Sequence, residues 1–239
     1  MQKSFTYRLV MLIIALIIAG LTQALTITTE LGATIWSASS LNILGAIFQT
    51  ADLSKINGYN GTTMLIMSLL LGLLNMKLSP ESDWGRFFRN LLFVVPFSYF
   101  IQFFVPFWQF IFEKIHPFIP NDTAWFGLMI FLDIVGLAGV ALEISLYQRA
   151  NLILHPIDDL TFILRFYYLK GNSTKSQLIS FLIPATITLI SVLLNHGQLI
   201  SVGFGTVWAI FTQGPLIAFF DKHVCPSFKH QALVREALN

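Results

Sequence analysis

Apolar runs of about 20 residues with few or no charges recur along this sequence. A helix of that length is long enough to cross the hydrocarbon core of a bilayer. A chain built mainly from such runs cannot form one ordinary water-soluble core, so the pattern predicts an all-α polytopic membrane protein. Six runs qualify, and they are Tyr7–Ile27, Thr62–Leu78, Phe87–Phe112, Thr123–Leu146, Gln177–Leu194 and Leu199–Phe220.

Two further apolar stretches, Ala33–Thr50 and His155–Tyr168, carry more polar residues than the six runs. Counting both as full spans gives eight helices and spreads Lys and Arg over both sides of the membrane. Counting both as re-entrant segments leaves nearly all of these residues on one side, as the positive-inside rule requires. We therefore predict six transmembrane helices in the plasma membrane, with both termini cytoplasmic. A surface amphipathic segment is the alternative reading for either stretch.

The two halves of the chain follow the same plan. A shift of 121 positions pairs Thr34–Ala38 with His155–Asp159, and each half holds a long helix, a re-entrant stretch, a short helix and a long helix. Three spans are an odd number, so the second copy enters the membrane from the opposite side, as in the inverted repeats of many secondary transporters. We predict one membrane domain, 1–239, with repeat 1 at 1–115, repeat 2 at 120–222 and a cytoplasmic tail at 223–239.

Three short motifs mark a family resemblance. They are Leu31-Gly32-Ala33-Thr34-Ile35-Trp36-Ser37, His155-Pro156-Ile157-Asp158-Asp159, and Gly203-Phe204-Gly205-Thr206 followed by Gly214-Pro215. With them the chain resembles the YczE/YyaS/YitT family of bacterial integral membrane proteins, although its first motif lacks the proline and aspartate typical of that family. The resemblance implies a multi-span membrane protein, with a permease of a vitamin-like solute as the expected function.

Composition excludes several other classes of protein. A formal charge of +2 on 239 residues gives no basic surface for nucleic acid. The single cysteine, Cys225, cannot form an intramolecular disulfide, and the Asp221, His223, Cys225 and His230 group has no zinc-site spacing. No His-Glu-x-x-His or Gly-x-Ser-x-Gly motif is present. We expect no metal, no cofactor and no enzymatic activity.

A re-entrant segment points to a binding site, because non-helical backbone at membrane depth occurs inside protein or along a water-filled cavity. Short helices starting near Ser37 and Pro156 would direct their N-terminal N–H groups inward, toward an anionic or strongly polar solute. The predicted solute-binding residues are Trp36, Ser37, Asn42, His155, Asp158 and Asp159.

Ionisable residues inside apolar spans are costly and usually face a cavity or a partner. Asp133 and Glu143 lie in one predicted span and share a broad face, so we predict that they relay a proton or hold a cation. A structural hydrogen bond is the alternative for either carboxyl group. Gly136 and Gly139, like Gly203 and Gly205, predict close helix packing rather than a phosphate loop.

These features favour a transporter in which two inverted halves move around a midplane site, with proton coupling through Asp133 or Glu143 as an option. The alternative is a membrane scaffold or regulatory protein that uses its cytoplasmic basic residues. Expected partners are membrane lipid and a small-molecule solute, and a homodimer or another membrane partner is left open.

Overall fold

The computed structural model describes residues 3–79, 84–170 and 172–229, apart from the side chains at 173 and 174. Helix makes up 82% of the structure, and no strand occurs within these ranges. A 3₁₀ turn follows the fourth helix, and a π-helical turn, Leu164–Tyr168, follows the sixth. The described ranges contain eight α-helices, which are α1 (Phe5–Thr28), α2 (Ile35–Phe48), α3 (Leu53–Leu78), α4 (Trp84–Ile115), α5 (Asp122–Ala150), α6 (Pro156–Ile163), α7 (Ser173–Leu194) and α8 (Phe204–His223).

Five of these helices are long and apolar enough to cross a membrane, namely α1, α3, α4, α5 and α7. The chain is therefore a multi-pass α-helical membrane protein. The sixth predicted span, Leu199–Phe220, corresponds to α8, which starts five residues later, at Phe204. α8 is 20 residues long but is not among the five helices, because residues such as Gln213 and Asp221 reduce its mean hydropathy. The sixth span stays a prediction.

Polar caps set helix boundaries that the apolar runs did not predict. The boundary predicted at Thr62 is wrong, because α3 starts at Leu53, where Asp52 Oδ1 accepts a hydrogen bond from the Ser54 amide at 3.0 Å. Hydrogen bonds from the hydroxyl and amide of Ser54 also lower the pKa of the Asp52 carboxyl. In the same way Asn172 caps α7, which extends the predicted Gln177 start back to Ser173. Polar residues in a first turn lower hydropathy without ending a helix.

The chain forms two compact units, and each draws on both halves of the sequence. The first unit takes the described residues of Met1–Thr34, Phe100–Leu152 and Ser201–Asn239, so it contains α1, α5, α8 and the second half of α4. The second unit comprises Ile35–Tyr99 and Ile153–Ile200, so it contains α2, α3, α6, α7 and the first half of α4. Of the tail predicted at 223–239, residues 230–239 lie outside the described residues, and they include His230 and Arg235.

In the first unit, α1 packs along α5 through the predicted glycine seam. A Cβ on Gly136 would lie 2.7 Å from Thr26 Cγ2, and a Cβ on Gly139 would overlap Thr22 Cγ2. The prediction of close packing at these glycines is confirmed. The later residue of α1 meets the earlier residue of α5, so the two helices run antiparallel.

In the second unit, the short helix α2 packs against α3 and α7, and α6 packs against the same two helices. Nine of the 14 residues of α2 are buried, including polar residues such as Ser37 and Asn42. At 1.5 Å per residue α2 is about 21 Å long, which is shorter than the hydrocarbon core of about 30 Å.

Candidate functional site

The N-terminal turns of α2 and α6 meet in the second unit. The indole of Trp36, in the first turn of α2, lies edge-on to the imidazole of His155, with 5.2 Å between ring centroids. His155 is the N-cap of α6, and its Nδ1 accepts a hydrogen bond from the Ile157 amide at 3.2 Å. The sequence proposed both residues for one site, and the structure brings them into contact.

Two buried N–H groups at this junction have no acceptor within the ranges that the structure describes. Because His155 Nδ1 accepts a hydrogen bond, the neutral ring carries its proton on Nε2. Neither His155 Nε2 nor Trp36 Nε1 has a hydrogen-bond partner among the described residues, and the two side chains are 4% and 7% exposed. The rings of Phe93 and Phe97 also contact the imidazole, at 5.8 and 5.1 Å. A buried donor without a partner is costly, so this junction favours a ligand with hydrogen-bond acceptors.

A narrow crevice lies beside the start of α6, and it measures about 180 Å³ when the space open to solvent is included. Its walls come from α3, α4 and Pro156, and they include Ser68, Gly72, Phe87 and Asn90. Ser68 is buried, and its hydroxyl has no partner within the described part of the chain. The enclosed space is only large enough for about one water molecule, so a solute can enter this crevice only if its walls move apart.

Asp159 joins α6 to α4 next to this crevice. Its Oδ1 lies 3.3 Å from Arg86 Nε, and its Oδ2 accepts a hydrogen bond from Asn90 Nδ2 at 2.8 Å. The carboxylate is almost fully buried, so the guanidinium and the amide compensate for its lost hydration. Asp159 is thus engaged in binding α4, while Asn90 contributes to the crevice wall.

The remaining predicted solute-binding residues have mixed positions. The Asn42 amide is committed to the backbone of residue 200, because Nδ2 donates to the Ile200 carbonyl at 2.8 Å and Oδ1 accepts from its amide at 3.1 Å. Ser37 is fully buried in α2, and Asp158 is half-buried in the first turn of α6. Ser68 was not predicted from the sequence. It lies in the apolar part of α3 and belongs to no motif, and small residues such as serine are common in membrane helices.

The two predicted coupling residues face α1 at different levels of the first unit. Asp133 Oδ1 accepts a hydrogen bond from Thr29 Oγ1 at 2.8 Å, whereas Glu143 Oε1 accepts one from Gln23 Nε2 at 3.3 Å. Gln23 Oε1 in turn accepts from the Thr34 hydroxyl at 2.9 Å. Ten residues of helix separate the carboxyl groups by about 15 Å along α5. A proton cannot pass directly between them over that distance, so its transfer requires intervening groups.

The first and third sequence motifs also meet, in the first unit. The Gly205 amide donates to the Leu31 carbonyl at 3.0 Å, and the Ala33 amide donates to the Ser201 carbonyl at 2.8 Å. Gly32 has a φ of +138°, and a Cβ there would lie 2.5 Å from the Thr206 amide nitrogen. Glycine is required at position 32 because the linker after α1 passes against the backbone of the first turn of α8. The close packing predicted at Gly203 and Gly205 occurs, but mainly against this linker rather than between two helices.

A family model matches residues 6–222, and its description is a family of unknown function, DUF6198. This match covers most of the chain. The protein belongs to the DUF6198 family. The match does not name the YczE/YyaS/YitT group, so that finer resemblance stays an expectation. No curated protein and no solved structure matches the chain.

Proposed function

We propose that this DUF6198 protein is a membrane permease for a small polar solute, which binds where the first turns of α2 and α6 meet. The observation that carries the proposal is the contact between Trp36 and His155, with two buried N–H donors that find no acceptor in the described part of the chain. Two helix N-termini add partial positive charge at the same place. Together these groups favour a solute that carries carbonyl or carboxylate oxygens.

The helix contacts support two related halves. If the halves are equivalent, α2 corresponds to α6 and α3 corresponds to α7. The contact between α2 and α7 then has its counterpart in the contact between α6 and α3, and the contact between α2 and α3 in that between α6 and α7. All four of these contacts occur. Such matched contacts are expected of an internal repeat around a shared site.

The direction of the first helices supports an inverted repeat in particular. α1 and α5 open the two halves, and their contacts run from Arg8 beside Ala150 to Thr29 beside Asp133. Corresponding helices that pack antiparallel are expected when the second copy enters the membrane from the opposite side. Burial of α2 also favours a re-entrant segment over a surface helix, which would expose one long face.

A test that needs no knowledge of the solute is labelling of cysteines from each side of the membrane. The starting protein is Cys225→Ser, into which Ser68→Cys is introduced in the crevice wall. In right-side-out and inside-out vesicles, a membrane-impermeant thiosulfonate should label this cysteine from both sides, because a permease exposes its site alternately.

Leu70→Cys is the matched control on the same helix, since Leu70 is 64% exposed on the surface of the folded chain. A lipid-facing cysteine should resist the polar reagent in both vesicle preparations. If the cysteine at position 68 of a folded and inserted protein fails to react from one side or from both, the permease proposal is refuted. A scaffold needs no such water-filled path.

A further inference from the structure

Asp133 is fully buried in α5, and its carboxyl group lacks the partners that an ionised group needs. Thr29 Oγ1 is 2.8 Å from Oδ1, but the same hydroxyl also donates to the Thr26 carbonyl at 3.0 Å, so one hydrogen serves two acceptors. Oδ2 has no partner among the residues that the structure describes. An uncompensated carboxylate at such a place is expensive, and adding a proton removes the charge.

The second carboxyl oxygen points at the place where the linker after α1 crosses the first turn of α8. A methyl group on Gly205 would overlap both Asp133 Oδ2 and the Gly32 carbonyl oxygen, so these two oxygens converge on one glycine. Two acceptors that converge repel each other unless a hydrogen lies between them. A proton on Oδ2 supplies that hydrogen and turns the oxygen into a donor toward Gly32.

The charged groups on the surrounding helices lie elsewhere. On α5, Glu143 binds Gln23 and Arg149 pairs with Asp221, and on α8 the ionisable residues are in the last turn. On α1, Lys3 and Arg8 flank the other end of the helix, and Glu30 is exposed beyond its last residue. In the second half of α4, Glu113 and Lys114 are exposed. No cation from the described residues therefore balances an ionised Asp133.

We propose that Asp133 is a proton-binding site, in which the neutral carboxyl group links α5 to the crossing where Gly32, in the linker after α1, meets Gly205, in the first turn of α8. The proton leaves Oδ2 only when the two crossing segments move apart, because water or a metal cation can then stabilise the carboxylate. Opening of the crossing and release of one proton are thus a single event. This inference narrows the sequence-based prediction for Asp133 to proton binding at Oδ2. It does not rest on the solute site of the proposed function, because it concerns residues of the other compact unit.

Infrared spectroscopy of the purified protein tests the proposal directly. At neutral pH the wild-type protein should show the C=O stretching band of a protonated carboxyl group, with a shift in D₂O. Asp133→Asn should lose this band, whereas Glu143→Gln, the matched buried carboxyl on the same helix, should keep it. A wild-type spectrum identical to that of Asp133→Asn in this region would overturn the proposal.

Thermal unfolding gives a second measurement. Asp133→Asn keeps an acceptor for Thr29 and a donor for Gly32, so this variant should fold. A carboxyl group that stays protonated only in the folded state stabilises the fold at low pH and loses this effect as pH rises. The unfolding temperature of Asp133→Asn relative to wild type should therefore increase from about pH 5 to about pH 8.

Sodium provides the competing outcome. If NaCl raises the unfolding temperature of wild type but not of Asp133→Asn, and choline chloride at equal concentration does not, the site holds sodium and the proton assignment is wrong. A temperature difference between the two proteins that is independent of pH would also contradict it. Neither measurement depends on a transported solute, so failure here leaves the permease proposal standing.

Discussion

Asn42 illustrates how one polar residue in an apolar segment can have two opposite meanings. Its position in Ala33–Thr50 predicted a solute ligand, but its amide replaces a backbone partner for Ile200 and is almost completely buried. His155 shows the reverse case, because it caps α6 yet its Nε2 has no partner among the residues described. The residue type alone does not separate these roles, since each depends on a partner that is distant in the sequence.

We expect Asn42→Leu to lower the free energy of unfolding by about 2–4 kcal/mol, because it leaves a buried N–H and a buried carbonyl of Ile200 unpaired. Reversible unfolding of the purified protein in detergent measures this change. Asn121→Ala is the control, since it removes an exposed amide that caps α5 and should cost only about 1 kcal/mol. Equal losses in the two variants would argue against a structural role for Asn42.

Helices of this chain depend on two kinds of local signal, and only one of them is hydropathy. Apolar runs located α1, α4, α5 and α7 to within a few residues, while caps such as Asp52 extended α3 well beyond its apolar core. The glycines of α5 predicted close packing, and α1 is the helix that uses them. Hydropathy describes the surroundings of a helix, but it does not identify the neighbour that fills a groove.

Gly139→Ala should destabilise the packing of α1 on α5 by about 1–3 kcal/mol, because the new methyl group overlaps Thr22. Gly127→Ala is the matched control on the same helix, since a Cβ there has no atom of the described residues within 4 Å. The control should gain about 0.5–1 kcal/mol from the higher helix propensity of alanine. Thermal unfolding of both purified variants compares the effects, and a neutral Gly139→Ala would show that the seam yields at little cost.

At the level of the whole molecule, the number of spans determines which side of the membrane each terminus occupies. Five helices meet the length and hydropathy of a span, whereas the positive-inside pattern predicts six spans with both termini in the cytoplasm. The difference lies in α8, whose Gln213 and Pro215 reduce its hydropathy without preventing a crossing where protein surrounds them.

Fusion of a cytoplasm-dependent fluorescent reporter to either terminus in bacteria should give active reporters at both ends. Alkaline phosphatase, which is active only outside the cytoplasm, should be inactive at both positions and active when inserted after Lys114. A C-terminal phosphatase that is active, beside an inactive N-terminal one, would show that α8 does not cross the membrane. The protein would then have five spans, and the second copy of the inverted repeat would lack its third span, α8.

The sequence alone determined that this is a helical membrane protein and which of its stretches are short and polar. It also supplied the candidate site residues. These properties can be read locally because hydropathy and capping act within a few residues of the chain. The tertiary structure decided which of those residues meet. Thr29 binds Asp133 across 104 positions and Asn42 binds Ile200 across 158. Trp36 contacts His155, while the linker at Gly32 passes against the first turn of α8 at Gly205. A hydrogen bond or a ring contact requires a distance of a few ångströms, and only the packing of helices from both halves sets that distance.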